Sequence, residues 1–183
     1  MAVFELSKKF QNFLSETSEI FSHYFNTSPE NKQFSSLKLM GINQYIISNS
    51  IKDILDFKFN FMFRNNSYNF YWSMAISESI KNSYDHGLAS EKGLSSEIYL
   101  GSKGLGFGIF DGGDFYKQPL IKELVESRKP IPKELFPSIY KNNSSGGRHG
   151  MDKIYSHSDF LEIDITKGIL FIGFTNERIL SKK

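Results

Sequence analysis

Glu78, Asn82 and Asp85 are spaced four and three residues apart in the run Glu78-Ser79-Ile80-Lys81-Asn82-Ser83-Tyr84-Asp85-His86-Gly87. On a helix that spacing puts all three on one side. A carboxylate able to orient a water or hydroxyl, beside an amide oxygen able to ligate a hard cation, is a start for chemistry on a magnesium-bound nucleotide. A merely solvated helix face carries the same residue types, so the pair alone decides nothing. Two glycine-containing segments follow it. Ile109-Phe110-Asp111-Gly112-Gly113-Asp114 reads as a turn at the end of a strand. Gly146-Gly147-Arg148-His149-Gly150-Met151 reads as a polar loop entering a helix, and backbone N–H groups at a helix start are anion donors.

The elements that must position these residues follow from apolar spacing. Trp72, Ile76, Ile80 and Tyr84 recur every fourth residue on the side opposite Glu78, which predicts a helix from about Tyr68 to His86 that Gly87 stops. Before it, Phe10, Phe13, Phe21 and Tyr24 predict an amphipathic helix from Phe4 to about Tyr24, ended near Ser28-Pro29. A second helical pattern runs through Leu37, Met40, Tyr45, Ile46 and Leu55. The alternation of Phe57, Phe59, Phe61 and Phe63 with polar or flexible residues predicts a strand, closed by the turn Asn65-Asn66-Ser67.

After the central helix, Glu97 to Leu100 and Phe107 to Asp111 read as a hairpin around Lys103-Gly104-Leu105-Gly106. Short helices are expected at Leu120 to Ser127 and Met151 to Tyr155, separated by Pro130, Pro132, Pro137 and the polar run 142–147. Phe160 to Ile165 and Ile169 to Phe174 form a last hairpin around Thr166-Lys167-Gly168. This order implies an α/β (α+β) two-layer sandwich, with a mixed, mostly antiparallel sheet covered on one face by helices.

Composition narrows the class. The 183 residues suit one domain with a core rich in aromatics, since 18 Phe and 9 Tyr are present. The formal charge of +2, with Lys and Arg dispersed, gives no basic stripe for nucleic acid. The absence of cysteine excludes disulfides, thiolate metal sites and thiol nucleophiles. No stretch approaches the roughly 20 apolar residues of a membrane span, and the start lacks a leader pattern. A cytoplasmic location is the expectation.

In their order and settings the three chemical segments resemble the N-box and the two glycine boxes of the GHKL superfamily, the Bergerat ATP-binding fold of gyrase-type ATPases, sensor histidine kinases and anti-sigma-factor serine kinases. The wording of the first segment is closest to the anti-sigma group. The resemblance covers about Phe57 to Phe174 and implies a GHKL-like core over 57–174, with 1–56 as an amino-terminal helical extension of the same single domain. It also implies ATP and Mg as ligands. Glu78 would orient the attacking oxygen, Asn82 would ligate Mg, Asp111 would accept the adenine amino group, and Gly113 would let the base approach. Gly147, Arg148, His149 and Gly150 would approach the phosphates, with Gly146, Met151 and Asp85 in the same nucleotide-binding set.

Two positions depart from the family pattern. Phe115 stands where the first glycine box usually ends in a second Gly, and His149 where a small residue is common. The activity implied is phosphoryl transfer, to water or to a serine or threonine of a partner protein, and the rival is a non-catalytic ADP/ATP sensor or interaction module. A plain dimerising domain is a third reading, so a homodimer is among the possible assemblies.

Other tempting runs carry no such chemistry. Gly101 to Gly108 has neither Walker nor G-x-G-x-x-G spacing. Ser156-His157-Ser158-Asp159 holds the residue types of a hydrolase triad, but neighbours in sequence cannot converge and no nucleophile elbow surrounds a serine. His23 lacks the Arg-Thr-Pro continuation of a histidine-kinase acceptor, and the four His residues lack zinc spacing.

Overall fold

The computed structural model describes residues 4–15, 17–25, 41–42, 44–53, 72–85, 87–135 and 149–181. Its first helix is short. Ser7 caps α1 (Lys8–Leu14) by accepting a hydrogen bond from the Phe10 N–H at 3.0 Å, and Ser15, left-handed at φ 51°, ends it. The chain then runs extended as β1 (Thr17–Phe25), antiparallel to β2 (Leu94–Gly101). This corrects the helix expected from Phe4 to Tyr24. Thr17, Ile20, Phe21, Tyr24 and Phe25 are β-branched or aromatic, and a ladder to a distant strand outweighs their helix-like spacing. The stretch before residue 57 is therefore not an all-helical extension, because it supplies an edge strand of the sheet.

Residues 44–53 form α2, whose buried residues are Ile47 and Ile51 while Tyr45 is exposed. Leu37, Met40 and Leu55 lie outside the described residues, as do the strand expected over 57–63 and its turn. Next come α3 (Ser73–Asp85), the one-turn α4 (Ala89–Lys92), β2 and β3 (Gly104–Phe110). A 3-10 turn at Phe115–Lys117 leads to α5 (Pro119–Glu126), and then follow α6 (His149–His157), β4 (Phe160–Asp164), β5 (Ile169–Thr175) and α7 (Asn176–Leu180). No sequence pattern had indicated α7. The Thr175 hydroxyl starts it by accepting from the Arg178 N–H at 3.2 Å.

The strand order is β1-β2-β3-β5-β4, and every described pairing is antiparallel, where a mixed, mostly antiparallel sheet is expected. Alternation sorts the side chains. Ile98, Leu105, Phe107, Leu170, Ile172 and Phe174 join Trp72, Ile76 and Ile80 of α3 and Ile154 of α6 in the larger core. Tyr99, Ile169 and Phe171 point the other way and meet Phe10 and Leu14 of α1. Helices thus lie on both faces, the main layer on one and α1 on the other.

Glycine makes the second contact possible. A methyl group at Gly106 would come 2.6 Å from Phe10 Cζ, so the α1 aromatics rest on bare backbone. The hairpin turn is correspondingly Ser102–Lys103, with Gly104 and Gly106 inside β3 rather than in the expected turn. Ser102 and Lys103 donate their N–H groups to the carbonyls of Ser15 and Leu14, which ties the turn to the end of α1. No helix among the described residues is long and apolar enough to cross a membrane.

Candidate functional site

Helix α3 is the spine of the site. Its apolar face packs as expected, with Trp72, Ile76, Ile80 and Tyr84 all buried. The opposite side is less wet than its sequence suggests, since Glu78 is only 7 % exposed, while Ser79 and Ser83 are buried along the apolar face. The two hydroxyls donate to the Ile76 and Ser79 carbonyls within the helix. α6 is what covers Glu78. A methyl group at Gly150 would come 2.6 Å from Glu78 Oε1 and 3.2 Å from Asn82 Oδ1, so the first turn of α6 can lie against these two side chains only because residue 150 is glycine.

Charge and amide orientation follow from this contact. Lys153 Nζ stands 3.3 Å from Glu78 Oε2, and Lys81 Nζ 3.7 Å from Glu78 Oε1. Asn82 donates from Nδ2 to Met151 Sδ at 3.7 Å, and turns its Oδ1 toward Gly150. The carboxylate is thus held between two ammonium groups beside an amide oxygen. These are hard oxygen donors of the kind Mg accepts when phosphates supply the remaining ligands. Among the described residues no group of three or more His, Asp or Glu could hold a metal by itself.

One turn further along α3 is the second half of the site. Asp111, just after β3, is 4 % exposed and accepts the Gly113 N–H at 2.8 Å. Gly87 sits against it so closely that any side chain there would overlap the carboxylate, and Gly113 packs on the same group. Burial raises the Asp111 pKa above its usual 3.8; the Gly113 N–H, the Ser83 hydroxyl and Lys117 oppose that shift without cancelling it.

A carboxyl whose pKa is raised by folding adds stability below its unfolded value and loses it as pH rises through the folded one. Asp111→Asn is therefore expected to melt higher than the parent at neutral pH in the absence of ligand. The two melting curves should converge as the pH falls toward 3.8, a comparison that thermal denaturation at several pH values makes directly.

The remaining candidates divide. Gly113 and Met151 are at the site, and His149 opens α6. Asp85 points instead to Lys81, at 3.8 Å, and is half exposed. Gly146, Gly147 and Arg148 lie outside the described residues. Phe115 is buried in the 3-10 turn with its ring centroid 5.2 Å from that of Tyr116, so aromatic bulk replaces the usual second glycine there.

Three groups at the site escaped sequence reasoning. Lys81 and Lys153 could have been found from their positions three residues after Glu78 and Gly150, which share a helix face with them. Tyr116 gave no signal, because nothing in its neighbours says that it is buried. A cavity of about 360 Å³ opens elsewhere, between Glu5–Ser7, Lys122 and β4. Glu5, Glu162 and Asp164 line it, and its one lysine already donates to the Ile163 carbonyl at 2.6 Å and pairs with Glu126. An acidic hollow of that kind repels polyphosphate, so the α3–α6 contact is the better candidate.

Comparison of the chain with protein-family models, curated proteins and solved structures found no match. The class therefore rests on the architecture: an α+β protein whose open antiparallel sheet carries its main helical layer on one face and a short helix on the other.

Proposed function

We propose that the protein is a GHKL-type, Bergerat-fold ATP-binding domain that transfers the terminal phosphoryl group of Mg-ATP to water or to a serine or threonine of a partner protein. The observation that carries this reading is the seating of Gly150 on both Glu78 and Asn82, with Asp111 buried one helix turn away. Residues of three segments separated in sequence meet along α3, and this convergence is what supports the reading.

In this reading Asp111 accepts from the exocyclic amino group of adenine, and Gly113 admits the base. The N–H groups that open α6 face the phosphates, in the order His149, Gly150, Met151. Asn82 Oδ1 would help hold Mg, whose chemistry is to neutralise the phosphate oxygens and orient them. Glu78 takes the proton of the attacking water or hydroxyl, and Lys81 and Lys153 hold its carboxylate in place. Phosphoryl transfer of this type depends on positioning and charge stabilisation. A cytoplasmic location and a protein partner that accepts phosphate belong to the same proposal.

Calorimetry with ADP and Mg-ATP tests it. The parent is expected to bind both, and Asp111→Asn to weaken them at least tenfold, about 1.4 kcal/mol, because the Gly113 N–H holds the amide oxygen and leaves an NH2 donor where the amino group needs an acceptor. Equal binding by the variant would remove Asp111 from base recognition. Incubation with gamma-labelled ATP, alone and with lysate, then separates catalysis from sensing. Released phosphate or a labelled protein supports the enzyme, and tight binding with neither supports the sensor.

A further inference from the structure

Tyr99 and Tyr116 are buried and Tyr155 is half-buried, and two of these three use their hydroxyls. Tyr99 donates to Glu97 Oε2 at 2.6 Å, and Tyr155 donates to the Lys129 carbonyl at 2.9 Å. Tyr116 is the exception: it is 4 % exposed, and its hydroxyl has no hydrogen-bond partner among the described residues. Leaving such a donor buried and unmade is costly, so an orphan of this kind calls for a partner that arrives from outside.

Its place in the fold says where that partner would sit. Tyr116 lies five residues after Asp111, in the 3-10 turn that follows the aspartate loop. It shares the larger core with Tyr84 of α3 and with Met151 and Ile154 of α6, the same layer that holds the candidate site. Its acidity is suppressed by burial first, and then by the charges of Asp111 and Tyr155, so both groups are within electrostatic reach of it. The phenol consequently keeps its proton at any ordinary pH and is available as a donor.

We propose that the Tyr116 hydroxyl is a base-reading group, donating a hydrogen bond to the ring nitrogen beside the exocyclic amino group that Asp111 accepts. This rests on the nucleotide reading of the Asp111 site. An acceptor and a donor five residues apart on one loop, both turned to the same base, match the amino hydrogen and adjacent ring nitrogen of adenine. They mismatch a base in which an oxo group replaces the amino group.

The test pairs ligand and protein changes. The parent is titrated with ADP, 1-deaza-ADP and 7-deaza-ADP, each of which lacks one candidate acceptor nitrogen, and the series is repeated with Tyr116→Phe. One deaza analogue is expected to bind the parent about tenfold more weakly than ADP, and Tyr116→Phe to lose a similar factor for ADP and to ignore that nitrogen. The ligand-free variant should melt at or above the parent temperature, since it lacks only an unpaired hydroxyl.

Equal binding of ADP and both analogues by the parent would overturn the inference without any variant. ADP binding that is lost in Asp111→Asn but unchanged in Tyr116→Phe would overturn it and leave the nucleotide site standing. A marked fall in the melting temperature of ligand-free Tyr116→Phe would assign the hydroxyl to the fold instead. No binding of ADP by the parent would remove the nucleotide site itself, and this inference with it.

Discussion

Replacing Glu78 with Gln is expected to lower turnover of Mg-ATP by about 10²–10⁴-fold, the usual contribution of a positioned base, while nucleotide binding holds or tightens. The amide keeps the shape of the carboxylate but cannot take the proton. Removal of its charge leaves Lys153, now 3.3 Å from it, without its anion and available to phosphate, while Lys81, now 3.7 Å from it, keeps only Asp85 at 3.8 Å. Both lysine side chains are more than a third exposed, at 45 % and 39 %, so water screens the change and the fold should melt within a few degrees of the parent. Labelled phosphate release read beside calorimetry decides the matter. Unchanged turnover would remove Glu78 from the chemistry, and a collapse of binding with the fold intact would make it a ligand-holding group.

The largest stability effect is expected on the other side of the sheet. Phe10 is fully buried, with ring centroids of Phe171, Phe160 and Tyr99 at 5.1, 5.2 and 5.8 Å. Its edge also meets the bare backbone of Gly106, so truncation leaves a hole that neither the glycine-lined strand nor its rigid neighbours can fill. Phe10→Ala should cost about 3–5 kcal/mol, a large share of the roughly 5–15 kcal/mol that a domain has, and lower the melting temperature by ~10 °C or more. Denaturant unfolding with an unchanged slope checks the value. Nucleotide affinity measured well below the transition should stay the same, because α1 and the Asp111 site lie on opposite faces. A cost under about 1 kcal/mol would mean that α1 is only loosely seated.

These two sites also show how much a reader of the sequence could obtain. The α3 pattern was fully legible: Trp72, Ile76, Ile80 and Tyr84 are buried, and the Glu78–Asn82 pair shares a side, because i+4 spacing is a local property of one helix. The two hairpins from β2 to β3 and from β4 to β5 were legible for the same reason, apart from their ends. The stretch from Thr17 to Phe25 was not. Its aromatics fit a helical period, and the strand exists because β2 lies beside it, a partner about 80 residues away that no local window contains. The glycines 104 and 106 looked like turn residues, whereas close packing of Phe10 is what requires a small residue at position 106.

Sequence alone determined which residue types are able to do chemistry and which helix presents Glu78 and Asn82, since residue type and 3.6-residue periodicity need no partner. Tertiary structure decided everything that depends on a second surface. It laid Gly150 on Glu78 and Asn82, pressed Gly87 against Asp111 until burial raised that carboxyl's pKa, and enclosed the Tyr116 hydroxyl with no partner among the described residues. The physical reason is that periodicity along a chain specifies a face, while desolvation and close contact are properties of the two faces that meet.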